Sequence, residues 1–437
     1  MKQNNRQFIL SMVMLGSLFF IFGLVSWVNS ILVPYFKVAC ELNTVQSYLV
    51  TFAFYIAYLV MTIPSSFFLN KVGFKKGVEY GLWILAAGAL LFWPAAVTRS
   101  YNMFLLALFT MGTALAILQT AANPFVTIIG PRESAARRIS IMGICNKFAG
   151  IVSPLLFAAA VIRPQDVATM DRVKYALFDT IQDKEAALNE MIQGVVLPYV
   201  ILAVVLFIFG FVFYKSAIPD IDPNKANASS GGLTQDRKSI FSYPYLVLGV
   251  LALFAHTGSQ QISIATIISY AQSMGIDLET AKVFPSFTLG CIMCGYLLGV
   301  IFIPKYISQQ KALVVCTVSG LILSCLVLLC TGTVTLFGMT ADVSIWFLVL
   351  LGIPNSLIYA GIWPLAIKNL GKHTNLGSSL LVMALCGNAV MTLLYGACSG
   401  NETFADLHTA YWLLIPCFVY MIFYSVWGYK IEHWTKK

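Results

Sequence analysis

Long apolar runs separated by short polar breaks repeat along the whole chain. A helix that crosses a bilayer needs about 20 predominantly apolar residues. Twelve runs meet that length: 8–33, 45–69, 77–98, 102–129, 139–162, 195–214, 243–270, 283–304, 311–332, 344–367, 376–398 and 408–429. The pattern predicts an all-α integral membrane protein with twelve transmembrane helices. Between the sixth and seventh runs, Ile218 to Lys238 reads IPDIDPNKANASSGGLTQDRK, the composition of a flexible linker. The chain therefore divides into an N-terminal six-helix bundle (1–215), a cytoplasmic linker (216–240) and a C-terminal six-helix bundle (241–437). The loop from Arg163 to Gly194 is long and mixed in charge, and is expected to carry one short extracellular helix as a surface cap.

Composition agrees: 59% of the 437 residues are hydrophobic and 10% charged, against about 25% charged in soluble domains. The net charge of +9 sits in the breaks between apolar runs rather than on one face, which argues against nucleic acid as a partner. Most of the basic residues, among them Lys2, Arg6, Lys71, Lys75, Lys76, Arg137, Arg138, Lys215, Lys305, Lys368 and Lys437, lie on the side of the termini. The positive-inside rule then places both termini in the cytoplasm and the chain, multi-pass, in the cytoplasmic (inner) membrane. The first apolar run is too long for a cleaved signal peptide and lacks a small-residue cleavage site. Ten cysteines are scattered; Cys291 and Cys294 form a C-x-x-C on a membrane helix with no second pair, a packing feature. No metal site and no cofactor is expected.

The polar residues inside the runs carry the functional information. Gly112 to Pro131, GTALAILQTAANPFVTIIGP, places Gln119, Thr120 and Asn123 in mid-span, with Pro124 next. Gln119 and Asn123 are four residues apart and share a helix face. Amides at that depth either bond a neighbouring helix or face a substrate pathway, and recurrence favours the pathway. The step from Gly112 to Pro124 is repeated by Gly352 to Pro364, so Gln119 corresponds to Tyr359, and Cys145-Asn146 echoes Cys386-x-Asn388. Parallel six-helix repeats with polar residues at matching depths are a transporter architecture, rocking about a site near the midplane.

With these residues in hand, the chain resembles the major facilitator superfamily, and within it the L-fucose:proton symporter family of sugar permeases. The carrying motifs are Asn29-Ser30-Ile31-Leu32-Val33-Pro34-Tyr35-Phe36, Gln119-Thr120-Ala121-Ala122-Asn123-Pro124-Phe125, Phe92-Trp93-Pro94-Ala95-Ala96, Ile367-Lys368-Asn369-Leu370-Gly371 and Gly377-Ser378-Ser379. Asn70, Lys71, Gly73 and Lys75 resemble the superfamily's conformational-latch loop, with Asn70 where the usual aspartate stands, which implies a weaker latch. The resemblance implies a sugar carrier in which Asn146 matches a sugar-contacting asparagine and Tyr359 a cavity tyrosine. Proton-coupled members carry Asp at Ser30 and Glu at Gln119. Serine and glutamine do not titrate, so that relay does not carry over. All eighteen Asp and Glu residues are expected in loops or at helix ends.

Two basic residues remain in the spans. Lys147 lies deep in the fifth, on one stripe with Gly143, Asn146 and Gly150. It either snorkels to the cytoplasmic interface, stands as a fixed cation in place of a coupling ion, or binds an anionic substrate group. His256, alone in the seventh span, reads more simply as a packing group. A monosaccharide asks for amides around its hydroxyls and for an aromatic face. The N-half offers Trp27, Asn29, Gln119, Asn123 and Asn146. The C-half offers Gln260, Gln261, Tyr359, Trp363 and Asn388.

The sequence thus points to a secondary active or facilitative transporter of a hexose, a fucose-like sugar or an N-acetylhexosamine, with Na+ or H+ as candidate coupling ions, the lipid bilayer as its surround and a monomer as its expected state. An anionic sugar of uronic or sialic acid type, held by Lys147, is the alternative within that class; a non-transporting sugar sensor is the alternative outside it. An intramembrane enzyme is not expected: no carboxylate pair or H-E-x-x-H lies in the spans, and His256, His373, His408 and His433 are scattered.

Overall fold

A computed structural model describes residues 5–28, 35–129, 135–161, 164–175, 177–216, 218, 239–303, 306–368, 370, 373–400 and 403–434. Twelve helical segments follow the apolar runs. We number them α1 (Asn5–Trp27), α2 (Thr44–Val72), α3 (Phe74–Leu90 and Phe92–Val97), α4 (Tyr101–Ile128), α5 (Ala135–Val161), α6 (Val196–Lys215), α7 (Pro244–Ala265 and Ile267–Ser273), α8 (Phe284–Phe302), α9 (Gln309–Leu329), α10 (Val343–Leu350 and Gly352–Ala366), α11 (Thr374–Met383 and Gly387–Cys398) and α12 (Phe404–Ala410 and Leu414–Val426). Among the described residues, eleven of them are long and apolar enough to cross a membrane, and α5 carries the apolar stretch Ile141–Ser153. Large apolar side chains such as Val204, Val205, Ile208 and Phe211 of α6 face outward, as a bilayer surround requires.

Local chemistry sets the helix ends. Asn43 caps α2 with a reciprocal pair: its Oδ1 accepts from Gln46 N at 2.8 Å, and Gln46 Oε1 accepts from Asn43 N at 3.0 Å. Gly73, at φ 81°, ends α2 and turns the chain into α3 in a conformation that other residues rarely adopt. Just beyond it Lys75 Nζ donates to the Ser216 carbonyl at 2.6 Å, tying this loop to the end of α6. The Asn70 side chain, Asn29, Ser30 and most of the linker lie outside what is described.

The halves are built alike. In the first, α1 packs on α5, α2 on α4, and α3 on α4 and α6; in the second, α7 packs on α11, α10 and α12, and α8 on α10. Gly112 of α4 lies so close to α2 that a Cβ there would collide with the Phe54 carbonyl oxygen; Gly352 of α10 stands in the same relation to the Thr288 carbonyl of α8. The halves meet along two seams, α2 with α11 and α5 with α8. At the first seam, on the face opposite the termini, Tyr48 meets Tyr395 edge-on at 6.0 Å.

Two expectations need correction, and one element was not foreseen. The segment between α5 and α6 holds two helices, Pro164–Lys174 and Ile181–Gln193, rather than one; Thr180 caps the second by accepting from Asp183 N at 3.1 Å. Glu79 is neither in a loop nor at a helix end. Because Gly73 lets α3 begin at Phe74, ahead of its apolar run, Glu79 falls inside the second turn and is 7% exposed. Between α9 and α10 the chain forms an antiparallel hairpin, β1 (Thr333–Leu336) with β2 (Met339–Asp342), turned by Phe337 at φ 51° and Gly338 at φ 77°. That is the left-handed turn two-residue hairpins favour, and β2 runs into Asp342, whose Oδ1 accepts from Ser344 N at 2.9 Å to cap α10.

Candidate functional site

The two stretches that share a step of polar positions, in α4 and α10, each contribute a cluster. In α4, Gln119 Nε2 donates to Tyr58 OH of α2 at 2.8 Å, and Tyr58 stacks on Tyr55 at 6.0 Å. Asn123, one turn on, keeps a buried Nδ2 with no hydrogen-bond partner among the described residues. In α10, Tyr359 and Trp363 stack at 5.5 Å and 24°. Tyr359 is an electrostatic neighbour of Tyr58, which brings the two clusters together across the halves.

Lys147 of α5 centres a third group, which also spans the two halves. Its side chain is 7% exposed, its Nζ sits 4.2 Å from the centroid of the Trp27 ring, and it donates to Gln260 Oε1 of α7 at 3.2 Å. The lysine belongs to the first half and the glutamine to the second, so this bond spans the junction of the bundles. Of the three readings of Lys147, this contact favours those in which the side chain turns toward the other half, and two glycines on its stripe sit against rings from other helices. A Cβ at Gly150 would lie 2.5 Å from the Trp27 ring, and one at Gly143 would lie 3.3 Å from the ring of Tyr296 in α8. Holding a charged side chain at that depth costs at least about 2.5–3.5 kcal/mol. The ring and the amide offset part of it.

Asn146 beside it donates Nδ2 to the Phe19 carbonyl of α1 at 3.2 Å, so its donor side joins helices while no partner is seen for its Oδ1 among the described residues. Gln260 and Gln261 part company, as neighbours about 100° apart on a helix must: Gln260 reaches the junction and Gln261 is buried elsewhere at 2% exposure. His256, one turn before Gln260, is 1% exposed. It is an electrostatic neighbour of Lys147, and its Nδ1 has no partner among the described residues. Asn388 is half-buried in α11 with no side-chain partner described. The structure thus joins Trp27, Lys147, His256 and Gln260 in one group and links Gln119, through Tyr58, to Tyr359 and Trp363 in another, while the Asn146 side chain bonds α1.

Sequence reasoning passed over three residues. Tyr58 and Tyr296 look like any ring in an apolar run, and only the fold reveals their partners. Asn355 was readable: it lies four residues before Tyr359 on the same face of α10. It is 1% exposed, and neither its Nδ2 nor its Oδ1 has a partner among the described residues. On the face opposite the termini, Glu41 bridges Arg99 at 3.5 Å and Lys184 at 2.5 Å. The hydrogen bond from Lys184 is the main cause that holds its carboxyl below the usual range. His, Cys, Asp and Glu form no group of three that would hold a metal among the described residues.

A sequence profile of the Major Facilitator Superfamily matches residues 15–394. The chain is 30% identical over 433 residues to a glucose/galactose transporter of Brucella abortus biovar 1 (strain 9-941), covering 98% of this chain and 96% of the relative. It is 28% identical over 411 residues to the L-fucose-proton symporter of Escherichia coli (strain K12), covering 92% and 90%. The crystal structure of the transporter FucP in its outward conformation superposes with a TM-score of 0.73 at 27% identity, over 96% of this chain and 98% of that one. The chain belongs to the major facilitator superfamily, in the L-fucose:proton symporter family.

Proposed function

We propose that this protein carries a monosaccharide across the cytoplasmic membrane by alternating access, as a monomer with both termini in the cytoplasm. The bond between Lys147 of α5 and Gln260 of α7 supports this reading most directly: a polar link at the junction of two bundles, with amides and rings from both halves beside it, is what a sugar ring would displace and replace. The names of the similar proteins, glucose/galactose and L-fucose transporters, point to the same ligand chemistry. Gln119 and Tyr359 stand in equivalent steps of the two halves, one offering an amide to hydroxyls and the other an aromatic face to C–H groups. Neither Ser30 nor Gln119 can take up a proton, so the coupling proceeds without a carboxylate relay at those positions.

Counterflow of labelled hexoses in proteoliposomes tests this. Exchange of trapped for external sugar is expected, with Gln119→Ala and Tyr359→Ala each weakening apparent affinity by about 3- to 10-fold, the size of one hydrogen bond or ring contact. Binding without exchange would make the protein a sensor instead. Varying pH and sodium separately in the same vesicles assigns the coupling ion.

A further inference from the structure

Resting on the reading above, we infer that the transported sugar carries one carboxylate and that Lys147 is the residue that selects it. The ammonium is 7% exposed, yet its two contacts are neutral: the Gln260 amide oxygen at 3.2 Å and the Trp27 ring at 4.2 Å. Ion pairs join Arg99 and Lys184 to Glu41 and Lys282 to Glu279, and among the described residues Lys147 has no carboxylate partner. Glu79, the buried carboxylate of the spans, is on α3, which packs on α4 and α6 rather than on the α5–α8 seam. A buried cation without a counter-charge is a costly arrangement that a protein keeps when a ligand completes it.

The surroundings fit a carboxylate on a sugar ring. His256, one helical turn from Gln260 and an electrostatic neighbour of Lys147, leaves its Nδ1 unpartnered among the described residues while 1% exposed. A buried polar group in such a state calls for a partner, and a sugar hydroxyl or carboxylic group at Lys147 would supply one. Gln260, freed from Lys147 when the carboxylate arrives, is an amide able to donate to the hydroxyls as well as accept from them. The charge balance selects one negative charge rather than two. The next buried cation on α5, Arg138, is nine residues away, about 13 Å along the helix, and is engaged by donating Nε to the Val126 carbonyl at 2.9 Å. A sugar phosphate, with a charge near −2, would find half of its compensation.

The test is competition in counterflow by the reconstituted full chain, with labelled galactose and labelled galacturonate, and hexose 6-phosphate as competitor. The uronate is expected to be favoured about 10-fold or more, the size of a charge-assisted hydrogen bond, with no competition from the phosphate. Lys147→Gln should collapse the uronate-to-hexose ratio to about 1, and Lys147→Arg should retain a ratio above 1. A wild-type protein that exchanges galactose as well as or better than galacturonate overturns the inference and leaves the sugar reading standing. So does a uronate preference that survives in Lys147→Gln, or stronger competition by the phosphate than by the uronate. Exchange of neither sugar overturns both.

Discussion

The two six-helix halves share a packing plan and differ in what they place at the centre. In both, a glycine lets the fourth helix lie against the second: Gly112 against the Phe54 carbonyl, Gly352 against the Thr288 carbonyl. From each glycine the same count of residues leads inward, to Gln119 and Asn123 in the first half and to Tyr359 and Trp363 in the second. The first half therefore supplies amides and, from α5, an ammonium; the second supplies stacked rings and an amide acceptor. Backbone fit is what the repeat retains, while the chemistry at the matched positions has diverged. A ligand with unlike faces, hydroxyls around an apolar ring, suits that asymmetry. The outer ends diverge too: two helices, the second tied to Glu41 through Lys184, lie at the end of the first half, whereas the second half has a hairpin whose Phe337 packs on Phe287 at 5.8 Å and on Trp346 at 5.9 Å.

The shared plan is broken most severely at its glycines. Gly112→Leu and Gly352→Leu should each force two helices apart against backbone, at a cost well above the about 1–3 kcal/mol of ordinary overpacking. Loss of monodisperse protein on size exclusion is expected for both; tolerance of one and not the other would show that the halves are not packed alike. A smaller effect of opposite sign is expected at the centre. Lys147→Met removes a buried charge that has no carboxylate partner, so stability should be unchanged or higher by about 1–4 kcal/mol, read as a rise in thermal midpoint while transport falls. A lower midpoint would mean the lysine is a structural strut.

The smallest effect belongs to the caps. Glu41 is held below the usual carboxylate range by Lys184, so its stabilising contribution is present above the unfolded value near 4.3 and is lost as pH falls through the depressed folded value. Being largely exposed, the cluster contributes at most about 0.2–1 kcal/mol. Glu41→Gln should lower the thermal midpoint slightly at pH 7 and lose that difference at pH 3; an equal loss at both values would point to packing rather than charge.

How much of this was legible follows from range. Helix count and the α4–α10 correspondence were readable because hydropathy and a glycine-to-proline step are local patterns. The stripe of Gly143, Asn146, Lys147 and Gly150 was readable for the same reason. The direction in which Lys147 points was not, since its acceptor lies 113 residues away and sequence spacing does not say which helices are neighbours. The glycines on that stripe meet Trp27 and Tyr296, rings from two other helices, and only packing reveals that. The hairpin was hidden because two four-residue strands between apolar runs leave too short a pattern to read, and the depth of Glu79 was hidden by a helix that starts before its apolar stretch.

The account stands or falls on where the ligand sits. A cryo-electron microscopy or crystal structure with bound sugar measures it: density should lie between Gln119 and Asn146 on one side and Gln260 and Tyr359 on the other, with Lys147 Nζ shifted from Gln260 onto the ligand. Sugar density at an outer surface, with the bond between Lys147 and Gln260 intact, would contradict it.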